Sequence, residues 1–314
     1  MSKLTERYLA RRLARAEAPS GYLDPPPPLA EDTLWRGLTR NGELRLLVAR
    51  ATGTVAEIAG TLAAGRRGAE LLAELVVGGL LLRSTLDPDS QLQVTVRSRG
   101  PAGRLYLDVW PSGRGLRASL ERPAAHLPLG SPLLDGGQIE VARAREGIAP
   151  YRSARSFGSE TLSQLFEAHL LESDQIVAAL RLDVRIEDDR VAHASGCLVQ
   201  VTPEGTRADL ARLLASFGPL PPLGDAMTDA DPDARAWADG LLAGYRWDQS
   251  AREPIAFVCR CSRERLLAIL RALPEEEVAE MAAAARPIEI TCEFCRARYE
   301  IDPGELRPAG AATH

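Results

Sequence analysis

The sequence of 314 residues predicts an α+β fold: a mixed core of antiparallel strands and helices, a helical linker, and a small cysteine-bearing module at the C-terminal end. Three observations predict it. Strand-like and helix-like runs interleave without the regular alternation that a doubly wound parallel sheet requires. After Pro203 the apolar stretches become short and are bounded by prolines. Finally, four of the five cysteines fall close to the C-terminus as two tight pairs. The length allows about two domains and a sizeable core.

Residues 1–30 are expected to form an extension that adds little to the core. Four successive prolines at 25–28 cannot donate backbone hydrogen bonds and favour an extended path. Residues 1–17 mix basic and acidic side chains and lack the continuous apolar run of a secretory signal. Tyr8, Leu9 and Leu13 are the residues through which this segment would dock as a short helix.

The core domain is expected over 31–205. Asn41-Gly42 is a turn signal, and Leu44, Leu46 and Val48 after it share one face, which predicts a hairpin within 34–51. Apolar residues at three- and four-residue steps predict helices over 55–64 and 69–82. The second is broken by Glu74 and falls short of the roughly 20 residues of a spanning segment, so it reads as a buried helix with no membrane role. Asp87-Pro88-Asp89 interrupts the chain. Residues 91–97 and 104–109 then alternate around Arg99-Gly100-Pro101-Ala102-Gly103, which predicts an antiparallel pair. Further strands are expected at 138–142, 178–186 and 197–201, and a helix at 160–171.

The linker is expected over 206–254. Leu210, Leu213, Leu214 and Phe217 mark a short amphipathic helix, Pro-Leu-Pro-Pro at 219–222 breaks it, and a second helix is expected to start near Thr228 and Pro232. Helices of this length are marginal alone in water and depend on packing, so the linker is expected to be metastable.

Charge and composition exclude several functions. The formal net charge is −5 and Lys3 is the only lysine, so the chain lacks the concentrated basic character of a nucleic-acid binder. Aromatic residues make up 5% of the chain, a poor platform for stacking bases. The four histidines, His126, His169, His193 and His314, are scattered, and no GxSxG, HExxH, GxGxxG or GxxxxGK pattern occurs. No catalytic residue is assigned, and an enzyme is not expected.

The cysteine pairs carry the chemistry. Cys259-Arg260-Cys261 and Cys292-Glu293-Phe294-Cys295 are separated by thirty residues between their inner members. Four thiolates so paired suit one closed tetrahedral zinc ion, with Zn–S distances of about 2.3 Å and no position left for a catalytic water. The alternative, two disulfides, belongs to small secreted domains that lack a sufficient core. A chain of this size without a signal segment points to the reducing cytoplasm, where paired cysteines bind metal or do redox chemistry.

The module is expected over 255–303, with 304–314 as a tail. Ser262 is a candidate N-cap and Glu264 suits the first turn of a helix whose apolar face is Leu266, Leu267, Ile269 and Leu270. A second helix begins at Pro274 with Glu275, Glu276 and Glu277 at its positive end. Ile288, Ile290 and Cys292 alternate with Glu289 and Thr291, and Cys295 leads into Ala297, Tyr299 and Ile301, which predicts a hairpin with Cys292 and Cys295 at its turn. So few residues bury little apolar surface, and a metal would supply most of the folding free energy, about 10–16 kcal/mol for structural zinc peptides. From Cys259 to Ile301 seven arginines face eight glutamates, a balance unsuited to phosphate binding. A constitutive zinc ribbon mediating protein or nucleic-acid contacts is the alternative reading.

In order, spacing and flanking residues, Cys259-Arg260-Cys261-Ser262-Arg263-Glu264-Arg265, Leu273-Pro274-Glu275-Glu276-Glu277 and Cys292-Glu293-Phe294-Cys295 with Tyr299 resemble the zinc switch of the 33-kilodalton heat-shock protein family of redox-regulated holdase chaperones. Weaker resemblance covers Ala194-Ser195-Gly196-Cys197-Leu198-Val199-Gln200, similar to the end of that family's core domain, and Ser173-Asp174-Gln175, similar to its serine-glutamate-glutamine signature with Asp174 in place of glutamate. The resemblance implies an ATP-independent chaperone, inactive when reduced and holding one zinc ion per chain on Cys259, Cys261, Cys292 and Cys295. It implies that oxidants form disulfides between near neighbours, Cys259 with Cys261 and Cys292 with Cys295, and that the active form binds unfolding client proteins as a homodimer. Cys197 lies in an apolar strand and is expected to be a small buried hydrophobe. Residues 172–175 are expected to be a helix end and are assigned no chemistry.

Overall fold

A computed structural model of the chain describes residues 32–111, 115–123, 132–283 and 286–306. The expected docking of Tyr8, Leu9 and Leu13, and the positions of His126 and His314, lie outside the described residues.

The alternating run expected at the start of the core forms β1 (Thr33–Thr39) and β2 (Leu44–Arg50). Their turn places Gly42 at φ +83°, a conformation that favours glycine. The helical runs form α1 (Thr52–Thr61) and α2 (Arg66–Arg83). Next come β3 (Gln91–Ser98), β4 (Arg104–Val109), β5 (Leu116–Leu120), β6 (Gly137–Arg145) and β7 (Ile148–Phe157). Helix α3 (Leu162–Glu172) starts from a capping box in which Thr161 accepts from the Gln164 amide and Gln164 accepts from the Thr161 amide. Strands β8 (Ala178–Glu187) and β9 (Arg190–Val201) follow.

Together with β10 (Trp247–Pro254), the strands make two five-stranded sheets, ordered β10-β1-β2-β9-β8 and β5-β4-β3-β6-β7, with antiparallel pairing in both. Helix α2 packs against both, and fourteen of its eighteen residues are buried. Two adjacent glycines permit this. A Cβ on Gly78 would collide with the Phe166 ring, and one on Gly79 with the Leu107 side chain. The main core therefore sits between the sheets and contains Leu72, Leu75, Leu81, Val94, Leu105, Leu107 and Phe166.

The first sheet is buried on its other face as well. Leu44, Leu46 and Val48 of β2, with Trp35 and Val199, form a second cluster beneath α4 (Arg207–Phe217), α5 (Leu223–Ala226) and α6 (Arg235–Leu241). Burial on both faces explains why β2 reads as a nearly unbroken apolar run. The first linker helix matches the expected one and is capped by Thr206 and Asp209. The later one starts at Arg235, after Ala234 in the left-handed region at φ +50°.

The segment expected to be helical to 254 ends instead in a strand, β10 (Trp247–Pro254), at the edge of the first sheet beside β1. Beyond it the chain crosses to the other sheet. The Ile255 amide donates to Asp32 O at 2.9 Å, the Leu116 amide to Ala256 O at 3.0 Å, and the Val258 amide to Leu116 O at 2.8 Å. Among the described residues no helix is long and apolar enough to cross a membrane.

Candidate metal centre

The crossing segment delivers Cys259 and Cys261 directly to the start of α7 (Arg263–Arg271), whose N-cap Ser262 accepts from the Arg265 amide at 3.2 Å. Helix α8 (Glu275–Ala282) follows, with three glutamates in its first turn. Strands β11 (Ile288–Thr291) and β12 (Arg298–Ile301) then form the expected hairpin. Its tip is a tight knuckle: the Arg296 amide donates to Cys292 O at 3.0 Å, the Cys292 amide to Ala297 O at 2.9 Å, and Arg296 takes φ +57°.

These elements bring all four sequence-predicted sulfurs within 4.8 Å of one another. Cys259 Sγ lies 3.7 Å from Cys292 Sγ, and Cys261 Sγ lies 3.3 Å from Cys295 Sγ. A tetrahedron with Zn–S bonds of about 2.3 Å has S–S edges of about 3.8 Å, so the four residues fit a zinc-sized ion. Both of these contacts run between the two pairs, so neither joins sequence neighbours.

The electrostatics of the cluster favour a cation. Burial pushes the Cys259 thiol far above its ordinary range, with the other thiols adding to the effect, and holds Cys295 up at about 11. Burial also pushes Cys261 upward, but hydrogen bonds from Tyr299 and the neighbouring thiols outweigh it, and the net direction is down. One sulfur thus carries charge readily while two partners resist. Four adjacent thiolates require positive charge among them. Tyr299 Oη, 3.1 Å from Cys261 Sγ, is placed to donate to that thiolate and orient it.

Sequence reasoning missed how the centre attaches to the core. Phe294, between Cys292 and Cys295, is 6% exposed, although its module buries little else. Its ring meets Tyr106 of β4 edge-on at 5.5 Å, and the Arg117 guanidinium of β5 lies 4.0 Å over its centroid. Arg117 is anchored by buried Asp108 at 2.7 Å, and Arg260, between the first two cysteines, stacks over Trp110 at 4.2 Å. Arg104 pairs with Glu293 at 3.2 Å. A large aromatic inside a Cys-x-x-Cys turn was the available signal.

The remaining singled-out residues lie apart from the cluster. Cys197 is fully buried in the second cluster, and burial pushes its thiol up to about 12 against the pull of Arg181. The segment 172–175 caps α3 but holds more than a helix end. The Asp174 side chain is 2% exposed, 3.1 Å from Arg143 and 3.6 Å from His169. His169 Nδ1 lies 3.3 Å from Ser153 Oγ. Burial drives the His169 imidazole below its ordinary value, with Asp174 opposing.

Comparisons with known proteins identify relatives of the chain. A family model described as Hsp33 protein matches residues 32–302. The 33 kDa chaperonin of Syntrophotalea carbinolica is 30% identical over 288 residues, covering 88% of this chain and 98% of that protein. The 33 kDa chaperonin of Thermus thermophilus is 28% identical over 291 residues, covering 87% of this chain and 84% of that protein. A crystal structure of the 33 kDa chaperonin from Thermotoga maritima superposes with a TM-score of 0.76 over 88% of this chain and 97% of that one, at 20% identity, which speaks to the fold.

Proposed function

The chain belongs to the Hsp33 protein family, whose members are chaperones, and on that premise we propose that it is an ATP-independent, non-enzymatic holdase switched on by oxidation of Cys259, Cys261, Cys292 and Cys295. The convergence of four sulfurs within 4.8 Å in a module whose two helices bury no residue carries this reading.

Zinc on the four thiolates supplies charge neutralisation and a cross-link between the first cysteine pair and the hairpin. The protein's own residues do the rest. Tyr299 stabilises the Cys261 thiolate, and Phe294 and Arg260 hold the module against the edge formed by Tyr106, Trp110 and Arg117. A peroxide takes two electrons from one cysteine sulfur to give a sulfenic acid and water. A second thiol displaces a second water from it and closes a disulfide. Two such reactions consume two peroxides and all four ligands. The family resemblance implies pairing within Cys259/Cys261 and within Cys292/Cys295.

With its ligands gone the module has only a small apolar core to keep it folded. The crossing segment and the linker above the first sheet lose their anchor, and the faces of Trp35, Leu46, Val48 and Val199 become available to unfolding proteins. The active form is read as a homodimer and the setting as the cytoplasm, where thiols start reduced.

Zinc content measured together with suppression of a model protein's thermal aggregation, before and after peroxide at mildly raised temperature, tests this. One zinc per chain, lost as holdase activity rises, is the expected result. Zinc retained with activity unchanged would leave a constitutive structural module.

A further inference from the structure

The strand β10 is a poor strand by composition. Trp-Asp-Gln-Ser-Ala-Arg-Glu-Pro contains one residue type favoured in strands and a terminal proline that cannot donate to a ladder. It nonetheless covers β1, whose Thr-Leu-Trp-Arg-Gly-Leu-Thr is rich in strand formers. The pairing is interrupted by a bulge opposite Arg36 and Gly37. The side-chain attachments of β10 include an exposed ion pair, Arg40–Asp248 at 3.0 Å, a half-exposed one, Arg252–Asp233 at 3.1 Å, and a more shielded one between Glu253 and Arg36 of β1.

One aromatic side chain of the strand packs on β1. Trp247 stacks on Trp35 with ring centroids 5.7 Å apart and planes 17° from parallel, beneath the Arg235 guanidinium at 4.4 Å. It reaches there because Gly37 has no side chain: a Cβ at that position would lie 2.8 Å from the indole. The edge of β1 therefore carries a notch shaped for a planar ring beside a row of backbone groups that only β10 covers.

We infer that the edge of β1 is a strand-acceptor site for extended segments of unfolding polypeptides, with β10 occupying it in the resting chain as an internal stand-in. An unpaired edge templates the addition of a foreign strand, main-chain bonds giving sequence-independent affinity and side-chain notches giving preference. A segment with apolar or aromatic residues at alternate positions would cover Trp35 and the Gly37 notch better than β10, which offers only Trp247 there. This rests on the chaperone reading above and specifies how that chaperone grips a client, a role distinct from burial against the sheet face.

Amide exchange on the full chain tests it. The Ile255 amide donates to Asp32 O and the Arg40 amide donates to Arg246 O, so strand alternation directs the amides of Leu34, Arg36 and Leu38 toward β10 and those of Trp35 and Gly37 toward β2. The probe is reduced, carboxymethylated α-lactalbumin, which stays unfolded and has no thiol to form mixed disulfides. Amides 34, 36 and 38 should be protected at rest, exchange freely after peroxide activation, and regain at least about tenfold protection when the probe binds. Amides 35 and 37 should stay protected throughout. Trp247→Ala should loosen amides 34, 36 and 38 before any oxidation. If the probe is held while these amides exchange as in the free activated chain, or if they never lose protection, the inference is overturned and the chaperone reading stands. Loss of protection at 35 and 37 also overturns it, because the acceptor sheet would itself have opened. Absence of any holdase activity after oxidation instead overturns the chaperone reading.

Discussion

Helix α2 and helix α7 are built from similar amounts of leucine, isoleucine and valine per turn, yet one buries fourteen of its eighteen residues and the other buries none. The difference lies in what surrounds them. Around α2 two sheets meet, and apolar contact alone keeps the region folded. Around α7 there is a four-residue-strand hairpin and a cysteine cluster. The core is held by area removed from water, and the module, on the proposed reading, by a metal site that oxidation would dismantle. On the reading proposed above, the same chain joins a core held by apolar contact to a module whose fold depends on four sulfurs, with the linker helices and β10 between them.

The sharpest way to break this contrast is to remove one ligand. Cys292→Ser, or chelation of the intact chain, should forfeit most of the roughly 10–16 kcal/mol that a structural zinc provides. Amides of 259–306 should lose exchange protection while those of α2 keep theirs; equal loss in both would show that the regions are not separately held. Leu72→Ala, at a fully buried core position, is the reciprocal change. It should lower the stability of the core by about 2–5 kcal/mol in urea titration and leave the zinc content per chain unaltered.

Phe294→Ala probes the joint between the regions. It should cost about 3 kcal/mol at the docking contact and make the 255–258 crossing more susceptible to limited proteolysis, with the cysteine site still able to bind metal. An unchanged cleavage pattern would show that the module is held to β5 by its backbone bonds alone.

The core also carries a pH signature of its own. Burial, with Glu70 adding to it, raises the Glu74 carboxyl to about 7 from 4.5. The folded chain keeps that proton between about pH 4.5 and 7 while the unfolded chain has released it, so stability declines as pH rises through this window. Glu74→Gln should stabilise the protein by on the order of 2 kcal/mol at pH 8 and have no effect at pH 4, measured as the change in urea midpoint. The smallest effect belongs to Arg104→Ala. Both partners of its pair with Glu293 are about half exposed, and its loss should shift stability by less than about 1 kcal/mol, less still in high salt.

The sequence revealed elements wherever one chain segment alone carries the signal. The three- and four-residue spacing of α2, the alternation of β3 and β4, and the Ser262 cap and paired cysteines of the module need no partner to be read. Strands β7 and β10 escaped because they are edges with few apolar residues, and β5, although Leu116, Ala118 and Leu120 alternate with Arg117 and Ser119, because it is only five residues long. Ile148, Tyr151 and their neighbours in β7 are largely exposed, and β10 alternates between half-buried and exposed with almost no apolar residues. Such strands are made by their neighbours' backbone groups, which leave no mark on side-chain pattern. At the candidate metal centre the four cysteines were legible from spacing, whereas the hydrogen bond of Tyr299 to Cys261 was not. The Tyr106, Trp110 and Arg117 platform was not, since it comes from strands far away in the chain and becomes visible only when they pair. Asp174 was hidden for the same reason: its partners Arg143 and His169 come from a strand and a helix with no shared motif.

Cys197 gives the molecule a chemical clock that its other thiols cannot provide. It lies entirely shielded under the linker helices, close to Pro222 and Leu223, with its thiol held almost wholly protonated at neutral pH. An alkylating reagent added to reduced, chelated protein will therefore mark four sulfurs quickly. A fifth mark will arrive only at the rate at which the helices lift from β9, so the mass of the labelled chain, followed over time, reads out how often the linker opens.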